Sequence, residues 1–443
     1  MSTELGQALP GQESVDPPGR RTDQVQVTVV PGTGPPADAG PDDHQVRLGD
    51  LTVLIRQAGS AGAGDAVAVA PVAVAAGADT LPLDRLHLVV QNGRTFQQEH
   101  PHVRVLADKG RYLVVDLDSA DARTMTGPEQ VCYAVLPLPL DTAVLADAPD
   151  QEPAEAQPWV QDLVDRVSAG RFRMDLDKLV AYGTRYSTSS AYRAAATAAR
   201  DELVGFGYPA TLTSITVQRR PSWNVVADRP GRGPQPRPLV LVTAHLDSIN
   251  IAGGPQALAP GADDNGSGSA GLLTIARIFA RHDGVADLRL ILFGGEEQGL
   301  FGSRQYVAGL DPTDRARVSA VVNMDMIGTV NTGDAGGFAV LLEGGEVSRP
   351  VIDGLAGAAR TYATLAVQTS LHPYNSDHVP FIDAGLPAVL TIEGTDDANH
   401  HVHTDKDVMA YVDEDLAAQI LRMNVGFVAG LLGRTAPDDG GDR

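Results

Sequence analysis

Five residues able to ligate a metal stand far apart in this chain: His245, Asp264, Glu297, Asp325 and His403. The gaps between them are 19 (245 to 264), 33 (264 to 297), 28 (297 to 325) and 78 (325 to 403) residues. No two lie within one helical turn, unlike the His-Glu-x-x-His arrangement in which a single helix supplies two ligands. A site shared by these residues has to be assembled by separate elements. Two imidazoles and three carboxylates over-supply one zinc but satisfy two zincs that share a carboxylate. The nitrogen and oxygen mix suits zinc better than calcium or magnesium, and manganese or cobalt would also accept it. Cys132 is the only cysteine, so an internal disulfide and a cysteine-based zinc site are excluded.

The elements around these residues share one pattern. Residues 239–244 form a continuous apolar run, the signature of a strand buried on both faces, and it stops at His245-Leu246-Asp247-Ser248. A Gly/Pro-rich loop leads to Gly261-Ala262-Asp263-Asp264-Asn265-Gly266, followed by helical periodicity at Leu272, Leu273, Ile275, Ala276, Ile278 and Phe279. A second buried strand, 288–293, runs into Gly294-Gly295-Glu296-Glu297. A third, 318–324, ends on Asp325, and another, 387–392, precedes Glu393 and a loop carrying His400, His401, His403, Thr404 and Asp407. In an open parallel α/β sheet, ligands bind in the crevice outside the carboxyl ends of the strands. Taken singly, Asp263-Asp264 reads as a turn, Glu296-Glu297 as a helix start and His245 as a core histidine. Their repetition at strand ends is what points to a site.

The rest of the chain divides by composition. Residues 1–44 are rich in Pro, Gly, Asp and Gln and read as a disordered tail. Residues 45–144 hold short apolar runs punctuated by Asn92-Gly93 and Lys109-Gly110, which suggest hairpin turns within a small β-rich accessory domain. Nothing there has catalytic spacing, which leaves a structural, inhibitory or partner-binding role. If it inhibits, a chain starting near Val160 should turn over faster. An acidic linker at 145–158 precedes the catalytic region, 159–435, and a short disordered tail at 436–443. Helices are expected at 160–167, 176–182, 190–206, 350–362 and 413–432, with Ser190 as an N-cap and Gly205 or Gly207 as a stop, and further strands at 223–227 and 338–342. A net charge of −22 argues against nucleic acid and anionic membrane surfaces. No secretory signal or membrane span is apparent, so a cytoplasmic location is the default and an extracellular one the alternative.

Across residues 160–432 the ordered motifs resemble those of the co-catalytic di-zinc aminopeptidases of metallopeptidase family twenty-eight. The resemblance implies an α/β fold, a three-layer α/β/α sandwich around a mixed, largely parallel sheet. It implies two zinc ions, one held by His245 and Asp325, the other by Glu297 and His403, with Asp264 bridging. Glu296 would be the general base acting on a zinc-bridging hydroxide, and Asp247 would orient the ligands. A cis peptide between Asp264 and Asn265 is implied too. The segment Ser376-Asp377-His378-Val379-Pro380-Phe381 matches a late motif of the family, with Asp377 and His378 shaping the pocket. Tyr374 would donate to the oxyanion, although its offset from Ser376 departs from the family pattern. His403 is the preferred loop histidine because His403-Thr404-Asp405-Lys406-Asp407 fits the pattern His-Thr-x-x-Asp. The function implied is removal of N-terminal residues from peptides, with a glutaminyl-cyclase-like enzyme, a carboxypeptidase-type enzyme or a binding module that lost its chemistry as the alternatives. Retention of all five ligands and the base speaks against the last.

Overall fold

The computed structural model describes residues 24–34, 39–58, 80–125, 132–330, 337–394 and 399–435. Its first part is built from strands β1 (Gln24–Pro31), β2 (His44–Leu48), β3 (Leu51–Gln57), β4 (Thr80–Pro82), β5 (Leu86–Gln91), β6 (Arg104–Lys109), β7 (Tyr112–Asp116), β8 (Tyr133–Pro137) and β9 (Thr142–Asp147). Helix α1 (Thr95–Glu99) follows β5, and α2 (Ser119–Met125) follows β7. Strands β5 to β8 make an antiparallel sheet in the order β6-β7-β5-β8. Gly110, at φ +60, makes the tight turn from β6 to β7 that Lys109-Gly110 suggested, whereas Asn92-Gly93 leads into α1 rather than a hairpin.

Two expected boundaries need correction. The tail through residue 44 does not stay unstructured: β1 pairs antiparallel with β3 from Val25 opposite Gln57 to Pro31 opposite Leu51. The cause is the alternation Val25, Val27, Val29, a period-two pattern hidden by the Pro/Gly-rich residues around it. Residues 1–23 and 436–443 lie outside the described residues. The linker at 145–158 also starts too early, because β9 runs to Asp147, pairing parallel with β2 and antiparallel with a strand of the catalytic region.

The catalytic region opens with α3 (Pro158–Val164), α4 (Ala169–Val180) and α5 (Ser190–Gly205), followed by the hairpin β10 (Ala210–Val217) and β11 (Arg220–Arg229). Ser189, rather than Ser190, caps α5 by accepting from the Tyr192 N–H, and Gly207 leaves the helix at φ +94. Then come β12 (Leu239–His245), α6 (Gly268–Phe279), β13 (Asp287–Phe293), α7 (Phe301–Ala308), α8 (Pro312–Arg317), β14 (Val318–Met324) and β15 (Ala339–Gly344). The chain finishes with α9 (Arg349–Tyr362), β16 (Ala366–Ser370), α10 (Val379–Asp383), β17 (Ala388–Ile392) and α11 (Glu414–Leu432). The strand order β10-β11-β13-β12-β14-β17-β15-β16 is mixed, with β13, β12, β14 and β17 mutually parallel. Through β9 it continues into β2, β3, β1 and β4, making thirteen strands in one sheet.

Helices cover both faces. On one, Leu272, Ile275 and Phe279 of α6 and Leu421 and Val425 of α11 pack on Val240 and Val242 of β12. On the other, Phe381 packs with Leu241, Ile291, Phe293 and Val321. Helix α11 is, among the described residues, the one helix long and apolar enough to cross a membrane, and 72% of its apolar window is buried in the fold. It is a core helix, apolar because it is surrounded.

A further core joins the N-terminal strands to the catalytic sheet: Leu48, Val53, Leu88, Val90, Tyr112 and Leu145 pack with Met326, Leu341, Leu390 and Ile392. Burial of each such side chain is worth about 1.5–3 kcal/mol, and a domain's whole stability is about 5–15 kcal/mol. A chain starting near residue 150 uncovers Leu341, Leu390 and Ile392 and the edge of β16. We expect it to aggregate or melt well below the full chain in a thermal scan, rather than to turn over faster.

Candidate metal centre

Each candidate ligand sits where a strand stops or a loop turns sharply. His245 ends β12, Glu296 and Glu297 follow β13, and Asp325 follows β14. Asp264 lies in a kinked turn ahead of α6, in extended conformation (φ −99°, ψ 100°), and its peptide bond to Asn265 is cis. His403 comes from the loop after β17 and takes a left-handed conformation at φ +60, as does Met326 beside Asp325 at φ +53. Non-glycine residues rarely adopt that region, and such conformations cluster at functional sites. Gly261, at φ +53, opens the Asp264 turn because a Cβ there would lie 2.5 Å from Ser248 Cβ.

The structure brings all five together. His245 Nε2 lies 3.1 Å from Asp325 Oδ1 and 3.3 Å from Asp264 Oδ1. His403 Nε2 lies 3.0 Å from Asp264 Oδ2 and 3.0 Å from Glu297 Oε2. Asp264 thus faces one imidazole with each carboxylate oxygen. Glu296 joins the group with Oε2 3.9 Å from His245 Nε2. Two sets of ligand atoms, from His245, Glu296 and Asp325 and from His245, Asp264 and Glu297, each fall within 4.8 Å of one another. Such spacing lets one ion touch several groups at once, and the donors are all nitrogen or carboxylate oxygen, which zinc accepts.

Buried partners hold these groups in place. Asp247 accepts from the Glu296 and Glu297 N–H groups at 3.3 Å each and stands 3.7 Å from His245 Nδ1, so one carboxylate fixes both the elbow and the imidazole. Ser376 Oγ donates to Asp325 Oδ2 at 2.7 Å. Asp407 accepts from the Asp263 and Asp264 N–H groups at 2.9 Å each, which gives the last position of the His-Thr-x-x-Asp pattern a structural task. Arg185, fully buried, donates to the carbonyls of Leu246, Leu179, Pro260 and Gly261, tying the ends of α4 and β12 to the turn that leads into Asp264.

Electrostatics follow from the crowding. Burial and then the Asp264 charge push Glu297 up to about 7, and burial and then Asp263 push Asp407 up to about 8. Glu296 is raised well above the ordinary carboxylate range, by burial and by Asp325 and Asp377, against the pull of His245. Asp264 goes the other way: burial raises it, but hydrogen bonds from His245 and His403 outweigh burial. Both imidazoles are raised well above 6.5, burial being overcome by Asp325 and Glu296 at His245 and by Glu297 and Asp264 at His403. So much buried acid around two imidazoles is a place where divalent cations are favoured.

The centre opens into a narrow cleft. Ile249, Ile251, Met326, Leu390 and Ile392 give it an apolar lining, and Asn375 and Ser376 border it. Asp377 and His378 are fully buried behind the wall, with His378 Nε2 3.4 Å from Glu343 Oε1, and neither borders the cleft. Tyr374 is half-buried in the core under the N-terminal strands and reaches the cleft through its neighbour Asn375. His400 is exposed, and His401 packs on Tyr411 at 4.1 Å. Sequence reasoning missed Asn92 and Arg111, which come from the N-terminal strands and line the same cleft. Nothing local to either residue signals this.

A doubly covered α/β sheet that gathers imidazoles and carboxylates at the carboxyl ends of its strands is the arrangement of a metal-binding α/β protein. Residues 224–428, just under half of the chain, match the model of peptidase family M28. Among curated relatives, leupeptin-inactivating enzyme 1 of Streptomyces exfoliatus is 31% identical over 219 residues, covering 48% of this chain and 45% of the relative. Leucine aminopeptidase 1 of Trichophyton equinum is 28% identical over 294 residues, covering 61% of this chain and 76% of the relative. The chain thus spans less than half of the first of these relatives and about three quarters of the second. The fold is that of a zinc aminopeptidase from Bacillus subtilis (TM-score 0.54, 16% identity, 60% of this chain and 95% of that one). The LapA aminopeptidase of Legionella pneumophila has it too (TM-score 0.56, 19% identity, 78% and 98%).

The shifted groups fix how the metal-free protein should respond to pH. Glu297 and Asp407 hold protons in the fold that the unfolded chain, with ordinary values of 4.5 and 3.8, has already released, so stability falls as pH rises from about 4 to about 8. The raised histidines act in the same sense: their contribution is full below 6.5 and is lost as pH rises through their folded values. Asp264, lowered, gives a contribution that is lost only at acid pH. Melting midpoints of chelator-treated protein should therefore fall between pH 5 and 8, and added zinc should raise them most at the alkaline end. A midpoint independent of pH in the chelated protein would contradict this account.

Proposed function

We propose that this chain is a zinc aminopeptidase holding two zinc ions and removing N-terminal residues from peptides. The observation that carries the reading is the Asp264 carboxylate, with one oxygen 3.3 Å from His245 and the other 3.0 Å from His403, each imidazole having a second carboxylate partner of its own. That symmetry suits a bridging ligand between two ions: His245 and Asp325 would hold one, Glu297 and His403 the other. When bound, the ions lower the pKa of a water and polarise the scissile carbonyl.

The chain's own residues do the rest. Glu296, beside the ligands and kept out of the chain of close contacts around Asp264, takes the proton from the attacking water and delivers it to the departing amine. Asp247 keeps Glu296 and Glu297 on separate tasks by fixing both of their backbone amides. The apolar lining from Ile249 to Ile392 favours an apolar N-terminal side chain and excludes water from it. The match of residues 224–428 to the peptidase family model and the names of the leucine aminopeptidase relatives support the same substrate class.

Glu296→Gln should keep both zincs and the fold but lower turnover of leucine p-nitroanilide by roughly 10²–10⁴-fold, the usual contribution of a general base. A near-normal rate would remove Glu296 from that role. Asp264→Ala should cost metal as well as activity, read as zinc per chain after dialysis. Full-rate cleavage by the chelated enzyme, or cleavage of N-terminally blocked peptides with a free carboxyl end while leucine p-nitroanilide is left intact, would overturn the aminopeptidase reading.

A further inference from the structure

The N-terminal strands reach the metal centre along two routes that start from adjoining residues. Arg111, at the start of the β7 hairpin arm, is 1% exposed and forms a fork with Glu343 at the end of β15: Nε to Oε2 at 2.8 Å and Nη2 to Oε1 at 3.0 Å. Tyr112 also donates to Glu343 Oε2 at 2.5 Å. The same guanidinium donates from Nη2 to the Tyr374 carbonyl at 2.8 Å, and the Tyr374 N–H donates to Glu343 Oε1 at 2.9 Å. Tyr374 is thereby held at both backbone groups. Two residues on, Ser376 donates to Asp325.

The second route begins at Asn92, whose Oδ1 accepts from Arg111 Nη1 at 2.8 Å and whose N–H donates to the Cys132 carbonyl at 2.9 Å. Cys132 Sγ lies 3.7 Å from His403 Nδ1, the ring nitrogen facing away from Asp264 and Glu297. The adjoining Gly93, at φ +54, sits so close to the histidine loop that an added Cβ would be 3.1 Å from the Asn399 carbonyl.

We propose that Arg111 and Cys132 are positioning residues of the metal centre, through which the N-terminal β unit clamps the two loops that carry Ser376 and His403. The unit is a wall of the active site. This rests on Asp325 and His403 being zinc ligands. Partners that orient a metal's ligands typically contribute 10–100-fold in metal affinity or activity. Removing one member of a buried ion pair strands the other, whereas replacing both by apolar residues is tolerated far better.

The test uses the full chain. The paired change Arg111→Met with Glu343→Leu, and separately Cys132→Ala and Cys132→Ser, are compared with wild type in two assays. One is zinc affinity by competition with a chromophoric chelator. The other is amide hydrogen exchange of the metal-free protein. The paired change should speed exchange across residues 371–378 while leaving α6 unchanged, weaken one of the two zincs roughly 10–100-fold and lower kcat more than it alters KM. Cys132→Ala should do the same for residues 399–404 and the other zinc, with Cys132→Ser restoring part of the loss. Should the paired variant fail to fold, Arg111→Lys decides, since it keeps the charge and loses the fork. Variants with wild-type exchange and wild-type affinity for both zincs would overturn the clamp. A wild-type chain that binds no zinc would instead remove the metal assignment on which it rests.

Discussion

Buried negative charge is the constraint around which this molecule is built. Asp247, Asp263, Asp264, Glu296, Glu297, Asp325 and Asp407 are all nearly inaccessible and stand at one edge of one sheet. Isolated buried carboxylates cost several kcal/mol each, so a fold tolerates them only with hydrogen bonds, counter-charges or cations nearby. Here backbone amides answer Asp247 and Asp407, two imidazoles answer Asp264, and the buried Arg185 spends its donors on carbonyls that shape the same turn. The unusual backbone at Asp264, Met326 and His403 belongs to the same arrangement, because each aims a ligand or its neighbour at a common point.

Much of this could be read from the order of residues because the sheet itself imposes it. A run such as residues 239–244 reads as a strand buried on both faces, and a polar residue at the end of such a strand is delivered to the edge of the sheet. The β12, β13 and β14 ends follow that logic, and so do the helices that start at capping residues. Asp407 was visible as a motif position without a task, since the task is accepting from the amides at 263 and 264, more than 140 residues earlier. Strand β1 was lost for a different reason: its alternation is short and lies in a stretch whose overall composition reads as unstructured.

The N-terminal unit was the least legible part. Its contribution to the cleft depends on Arg111 meeting Glu343, partners separated by 232 residues, and a guanidinium or carboxylate gives no local sign of such a distant partner. The apolar runs that suggested a separate β domain are real strands, but five of the nine described N-terminal strands, β1 to β4 and β9, extend the large sheet instead of closing on themselves. Composition divided the chain where the hydrogen-bond ladder does not.

That continuity bears on how the molecule comes to exist. Strand β9 must find β16, more than two hundred positions further along, before the sheet is whole. Contacts of such long range are slow to form, because loop closure has to precede any reward from pairing. During synthesis the early strands emerge with an unsatisfied edge and an apolar face and must wait for the later half of the chain. Until that closure, unpaired strand edges and apolar surface of this kind are open to association with other chains.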